Sequence, residues 1–231
     1  MTADAVTRPE LGLEAALARG LGPVAGLDAA DIGCGSGSAS RVLAGLGARV
    51  TGVEPDAAAL AAAEAAGGGP VYRRGGAEAT GLAAGSADLV LFSMSLHHVP
   101  DRPAALAEAR RLLRPGGRIA VLEPEAPDPL WPVVRWIDDE TAVCAAAQAA
   151  IGEEIAAGRL RRLATLRHAE RYRVATADAL IAEMQAVDRR RQVDAAARET
   201  VAAAFAEAVR EDAQGRYIPF WLRLDLLEPV H

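Results

Sequence analysis

The chain has 231 residues, 51% hydrophobic and 24% charged, with a net charge of −6. That length supports one sizeable core. The lack of a long, charge-free apolar run excludes an ordinary membrane span, and the acidic balance argues against a nucleic-acid partner. Every basic side chain is arginine and none is lysine, so Arg189-Arg190-Arg191 reads as compositional habit on a solvated face. Cys34 and Cys144 sit in unrelated contexts and make no metal or redox motif. No metal site is expected, and with no apolar signal core in MTADAVTRPE a cytoplasmic protein is.

Taken in chain order, residues 10–19 read as a short amphipathic helix and 27–32 as a buried strand entering a glycine cluster. Residues 38–46 are a helix, 48–53 a strand, and 56–66 an alanine-rich helix with Asp56 as its N-cap. A short strand follows at 70–73, then an all-apolar strand at 87–92 that suits a parallel sheet covered on both faces. A helix at 102–113, closed by Pro115-Gly116-Gly117, leads to a strand at 118–122. Strict alternation of this kind predicts a doubly wound α/β sheet. Beyond Glu123, four prolines between 124 and 132 change the pattern. Residues 133–160 then read as mostly helical, 163–174 as extended, 177–187 as helical, 194–212 as one long helix, and 217–227 as a strand. No linker separates independent domains, so 1–231 reads as a single domain with a helical cap insertion at 125–172.

Two features carry chemistry. Asp31-Ile32-Gly33-Cys34-Gly35-Ser36-Gly37 follows a strand and opens a helix, so a ligand can lie against bare backbone beneath the helix amides. A dinucleotide fingerprint would need glycine at 38, where Ser38 stands, and no P-loop lysine is present. Glu54 closes the second strand, where a carboxylate can accept from both hydroxyls of a ribose; alone it indicates a nucleoside without saying which.

With these motifs in place, the sequence resembles the class I S-adenosylmethionine-dependent methyltransferases of the ubiquinone/menaquinone-biosynthesis-like type. The resemblance rests on DIGCGSG at 31–37, VEPD at 53–56, GGAEATGLAAGSADLV at 75–90, SMSLHHVPD at 93–101 and LLRPGGRIAVLEPE at 112–125. It implies a Rossmann-like seven-stranded sheet with its last strand antiparallel, for which 217–227 is the candidate. It also implies roles. Asp31, Gly33, Cys34, Gly35 and Gly37 cradle the methionine part of S-adenosyl-L-methionine, and Glu54, with Pro55 beside it, holds the ribose. Ala77 and Glu78 lie at the adenine, and Ser93 lies beside the cofactor's amino acid. Gly76 replaces the family's usual aspartate, which removes a side-chain acceptor for the adenine amino group. Thr80-Gly81 replaces Leu-Pro, which points to a mobile loop.

His97 and His98 follow the fourth strand, where an acceptor would meet the methyl group. They are either a general base or a packed pair that shapes the loop, and the second is the simpler account. Acceptor selection falls to residues 125–172, where Trp131 and Trp136 are candidates to wall a pocket and His168 either faces the substrate, pairs with Glu170 or faces water. The expected activity is methyl transfer to O, N or C of a small molecule. An idle S-adenosylmethionine-binding module and an NAD-dependent oxidoreductase are the alternatives, the latter disfavoured by Ser38. Two cysteines are too few for arsenic methylation.

Overall fold

The computed structural model describes residues 8–187 and 191–230, so Arg189 and Arg190 lie outside the described residues. The elements run α1 Leu13–Leu21, β1 Asp28–Ile32, α2 Ser38–Gly45, β2 Arg49–Glu54, α3 Ala57–Ala66, β3 Val71–Arg74, β4 Ala87–Ser93, α4 Arg102–Leu112, β5 Leu113–Pro124, α5 Trp131–Val134, α6 Thr141–Ala156, β6 Leu160–Arg173, α7 Ala177–Val187, α8 Ala195–Ala208, β7 Arg210–Asp212 and β8 Gly215–Pro229. A single 3-10 turn at Leu96–His98 follows β4.

The strands form one sheet in the order β3-β2-β1-β4-β5-β8-β6, with β7 paired antiparallel to β8. β3, β2, β1, β4 and β5 are mutually parallel. Strand order therefore reverses between β1 and β4, and in open parallel sheets ligands bind beyond the carboxyl ends of the strands at that point. Those ends here are Ile32 and Ser93. The parallel strands read as apolar runs because both faces are covered: Ala30, Ile32, Val90, Phe92, Ile119 and Val121 are all buried in one core cluster.

The chain divides into two compact units. One comprises Leu13–Glu123, Ala145–Leu166 and the chain from Arg223. The other comprises the chain through Gly12, Pro124–Cys144 and Arg167–Leu222. The second has its own core, in which Val133, Leu180, Ile181, Val201 and Ile218 are fully buried or nearly so. The stretch 125–172 is accordingly shared between the units, with α6 beyond Cys144 and the start of β6 in the sheet-bearing unit.

Three sequence expectations are corrected. The strand expected at 118–122 begins at Leu113, directly after α4. Leu113 pairs with Ala87, and a register shift between Ala87 and Leu89 absorbs the Pro115-Gly116-Gly117 stretch as a bulge. The long helix at 194–212 ends at Ala208, and Arg210–Asp212 turns back as β7 onto Tyr217–Gly215. The first helix is displaced to Leu13–Leu21. Asp56 caps α3 as expected, accepting from Ala58 N at 2.9 Å and Ala59 N at 2.8 Å.

Candidate active site

The glycine loop is fixed by the end of β2. Gly33 N and Cys34 N both donate to Val53 O, at 2.8 and 3.1 Å, and Gly37 N closes the turn onto Cys34 O at 2.8 Å. Gly33, Gly35 and Gly37 all have positive φ, at 70°, 54° and 82°, a region that side chains other than glycine rarely adopt. Their surroundings differ. A Cβ on Gly33 would fall 2.7 Å from Ser95 Cβ, and one on Gly37 would fall 2.3 Å from the Tyr72 hydroxyl. A Cβ on Gly35 would meet nothing within 4 Å. Gly33 and Gly37 thus serve internal packing, whereas Gly35 opens onto space. α2 starts at this loop with Gly37 as N-cap and no side-chain capping bond from that residue.

Two carboxylates flank the loop. Glu54 is buried, and its oxygens accept from Gly35 N and Asp56 N, both at 2.9 Å. A carboxylate has about four acceptor positions, so it can take two more donors while holding the loop. Asp31 is fully buried. One of its oxygens accepts from Ser40 Oγ at 2.6 Å, and the other, equally buried, has no donor among the described residues. Burial, with the Glu54 charge adding to it, pushes the Asp31 carboxyl up to about 6.

This last shift has a consequence for stability. The folded Asp31 binds its proton more tightly than the unfolded chain does. Its favourable contribution is full below the ordinary aspartate value of 3.8 and is lost as pH rises to about 6. Above that range the buried charge costs about 1–3 kcal/mol. We expect Asp31→Asn to raise the thermal midpoint at pH 7 and to lose that advantage at pH 4. Melting curves at the two values check this; an equal shift at both would show that Asp31 carries no buried-charge penalty.

The loop between β3 and β4 is tied down, contrary to the mobility expected from Thr80-Gly81. Thr80 is buried, and both its backbone N and its hydroxyl donate to Glu108 Oε1 on α4, at 3.0 and 2.6 Å. Arg111 donates to Glu108 and also to Leu82 O at 2.7 Å. The Arg111 guanidinium, then desolvation working against it, then the Thr80 bonds leave the Glu108 carboxyl held down at about 2. Ala77 packs against the core, and Glu78 Oε1 accepts from Asp101 N at 3.3 Å. We expect Glu108→Gln to destabilise the fold by about 1–3 kcal/mol at neutral pH, since hydrogen bonds to a charged group are lost. Denaturant unfolding measures it, and a midpoint within error of the native chain would exclude the latch.

At the tip of β4, Ser93 is half-buried, and Ser95 donates to Ile32 O at 2.7 Å. His97 is buried and its Nδ1 bonds to Glu123, whereas His98 is exposed, with its ring centroid 3.9 Å from that of His97. Pro55 is exposed beside Glu54. Cys34 Sγ lies 2.8 Å from where a Gly52 Cβ would fall, and burial pushes its thiol up to about 12.

The remaining candidates lie in the other unit, and the structure does not gather them into one place. Trp131 is buried, its indole N–H donating to Thr141 Oγ1 at 2.9 Å and its backbone N to Asp128 at 2.7 Å. Trp136 is 51% exposed, with the Arg135 guanidinium over its ring. His168 is fully buried and neither ring nitrogen has a partner among the described residues, so it neither pairs with Glu170 nor faces water. Burial lowers its pKa. Arg191 binds Asp138 at 2.7 Å. Glu108 and Glu123 were missed as functional residues; in sequence Glu108 lies between two of the quoted motifs and Glu123 inside the last of them.

A cleft of about 820 Å³ lies elsewhere, at the amino ends of β1 and β2, lined by Asp28, Arg49, Thr51, Val71 and Leu82 among others. It includes no residue of the glycine loop.

Comparison with known proteins accounts for this constellation. Residues 30–121 match the family model described as a methyltransferase domain. Over this stretch the chain is similar to that family. Over 99 residues the chain is 42% identical to a ubiquinone biosynthesis O-methyltransferase of Methylobacterium sp. (strain 4-46), covering 41% of this chain and 40% of that protein. Over 118 residues it is 42% identical to the nocamycin O-methyltransferase of Saccharothrix syringae, covering 47% and 41%. The chain thus matches about two fifths of the length of these relatives. A solved structure from Anaeromyxobacter dehalogenans, proposed to be a type II methyltransferase, is 26% identical and covers 97% of this chain and 99% of its own, with a TM-score of 0.59. The matched stretch holds the glycine loop, Glu54, the Thr80 latch and His97, with Glu123 two residues beyond its end, and the chain as a whole has the class I arrangement with β8 between β5 and β6. Among the described residues no helix is long and apolar enough to cross a membrane.

Proposed function

We propose that this protein transfers a methyl group from S-adenosyl-L-methionine to O, N or C of a small-molecule acceptor. The observation that carries this is Gly35, held at φ 54° between two protein-filled glycines with open space where a Cβ would stand. The flanking acids fit the same cofactor. Asp31's unpartnered oxygen suits the ammonium of the amino-acid end, and Glu54 retains acceptor capacity for two ribose hydroxyls. Ala77 and Glu78, on a loop fixed by Thr80, are assigned to the adenine, and Ser93 to the amino-acid end.

The cofactor, when bound, supplies a methyl group already activated by a sulfonium. What remains for the chain is alignment and exclusion of water. His98, exposed at the tip of β4, is the candidate to take a proton from the acceptor. Acceptor selection is assigned to 125–172, which begins where β5 ends. Within it Trp136 offers an accessible ring, whereas Trp131 is already engaged by Thr141.

Native mass spectrometry of the purified full chain tests the proposal. A mass increment matching S-adenosylmethionine or S-adenosylhomocysteine after incubation supports it; retention of NAD and neither sulfur compound refutes it.

A further inference from the structure

One buried carboxylate is not used by the cofactor site as described above. Glu123, on β5, is fully buried, and the chain segment after β4 is built around it. Its Oε1 accepts from Leu96 N at 2.9 Å and from His97 N at 3.4 Å, and its Oε2 meets His97 Nδ1. Arg102 adds a bond to His97 O at 2.6 Å. The same turn contains Met94 at φ 56°, among the described residues the one non-glycine at positive φ. Backbone in that region persists where its surroundings over-determine it. Here Met94 N donates to Leu122 O at 2.8 Å, one residue before Glu123. On its other side the turn is fastened to the glycine loop by Ser95, through Ile32 O and by its close approach to Gly33.

We infer that Glu123 is a positioning residue: its carboxylate sets the conformation of the 94–98 turn, and His97 is the strut through which it does so. The inference rests on the proposed activity only for what the turn is used for. With Glu123 Oε2 as the acceptor, the His97 proton sits on Nδ1. The imidazole is then engaged in holding backbone, and His98 is the histidine of the pair presented outward. The turn forms one wall of the glycine cradle, so its order and the affinity of the cradle are coupled.

Charge and geometry can be separated at this position. In Glu123→Gln the side-chain oxygen still accepts from Leu96 and His97 N, and the new N–H can donate to Nδ1 if the ring moves its proton to Nε2. In Glu123→Ala all three bonds are lost. The experiment compares the native full chain with E123A and E123Q by hydrogen exchange, by calorimetry with S-adenosylhomocysteine, and by nitrogen NMR of the histidine rings. E123A should speed exchange at 94–99 and weaken binding, each by roughly tenfold or more, while exchange in β1 and β4 stays near native. E123Q should remain within about threefold of native in both, with the His97 proton moved from Nδ1 to Nε2. If E123A fails to fold, the E123Q tautomer and exchange rates decide alone. Unchanged exchange at 94–99 in E123A overturns the inference. So does an E123Q that loses as much affinity as E123A or keeps its proton on Nδ1, because charge and not placement would then be the role. A native chain that does not bind S-adenosylhomocysteine refutes the proposed function, while the exchange comparison still tests the turn.

Discussion

Gly35→Val should abolish binding of S-adenosylmethionine and S-adenosylhomocysteine while leaving the chain folded. Two effects combine. A β-branched residue at φ 54° is forced out of its allowed backbone region, at a cost of order 1–3 kcal/mol. Its side chain would also project into the open space that distinguishes Gly35 from Gly33 and Gly37. No protein atom is displaced there, so core packing is preserved and the loss falls on the ligand. The Gly35 amide also donates to Glu54, so distorting the loop disturbs the ribose carboxylate as well. Calorimetry and a melting curve on the same sample check this. Native-like binding in Gly35→Val would mean that the ligand does not approach this backbone.

Glu54→Ala should weaken the same binding by about 1–3 kcal/mol, the loss expected when hydrogen bonds to a charged acceptor disappear. The structure adds a reason to expect the upper part of that range. Glu54 is also the acceptor for Gly35 N and Asp56 N, so its removal frees two amides at the mouth of the cradle. Glu54→Gln separates the contributions: one side-chain oxygen remains to accept, but the second position becomes a donor facing an amide. We expect Gln to bind more tightly than Ala and more weakly than the native residue, as read by calorimetry at a fixed salt concentration. Equal affinity in all three would remove Glu54 from the site.

Much of the sheet was legible because it is written in local chemistry. Buried parallel strands appear as apolar runs such as Ala87–Phe92, and Asp56 precedes its helix in capping position. The glycine loop was legible for a similar reason, since positive φ at three alternate residues admits little else. The misplaced elements were set by partners distant in sequence. Nothing at Val209 stops an alanine-rich helix; pairing with β8 does. Pro115-Gly116-Gly117 resembles a helix terminator, yet Leu113 already pairs with Ala87. The missed residues share this character. Glu108 and Glu123 are ordinary glutamates in sequence, and only folding places Thr80 against one and the Leu96–His98 turn against the other. Thr80 itself was read as a loosened substitute for the family's usual residue, and it is fastened because its hydroxyl reaches Glu108. Burial likewise separates Trp131 from Trp136, which no spacing could do.

The most direct measurement is a calorimetric titration of the native full chain with S-adenosylhomocysteine and, separately, with NAD. Saturable one-to-one binding of S-adenosylhomocysteine is expected, with no heat beyond dilution for NAD. Saturable NAD binding with no response to S-adenosylhomocysteine would contradict the proposed function.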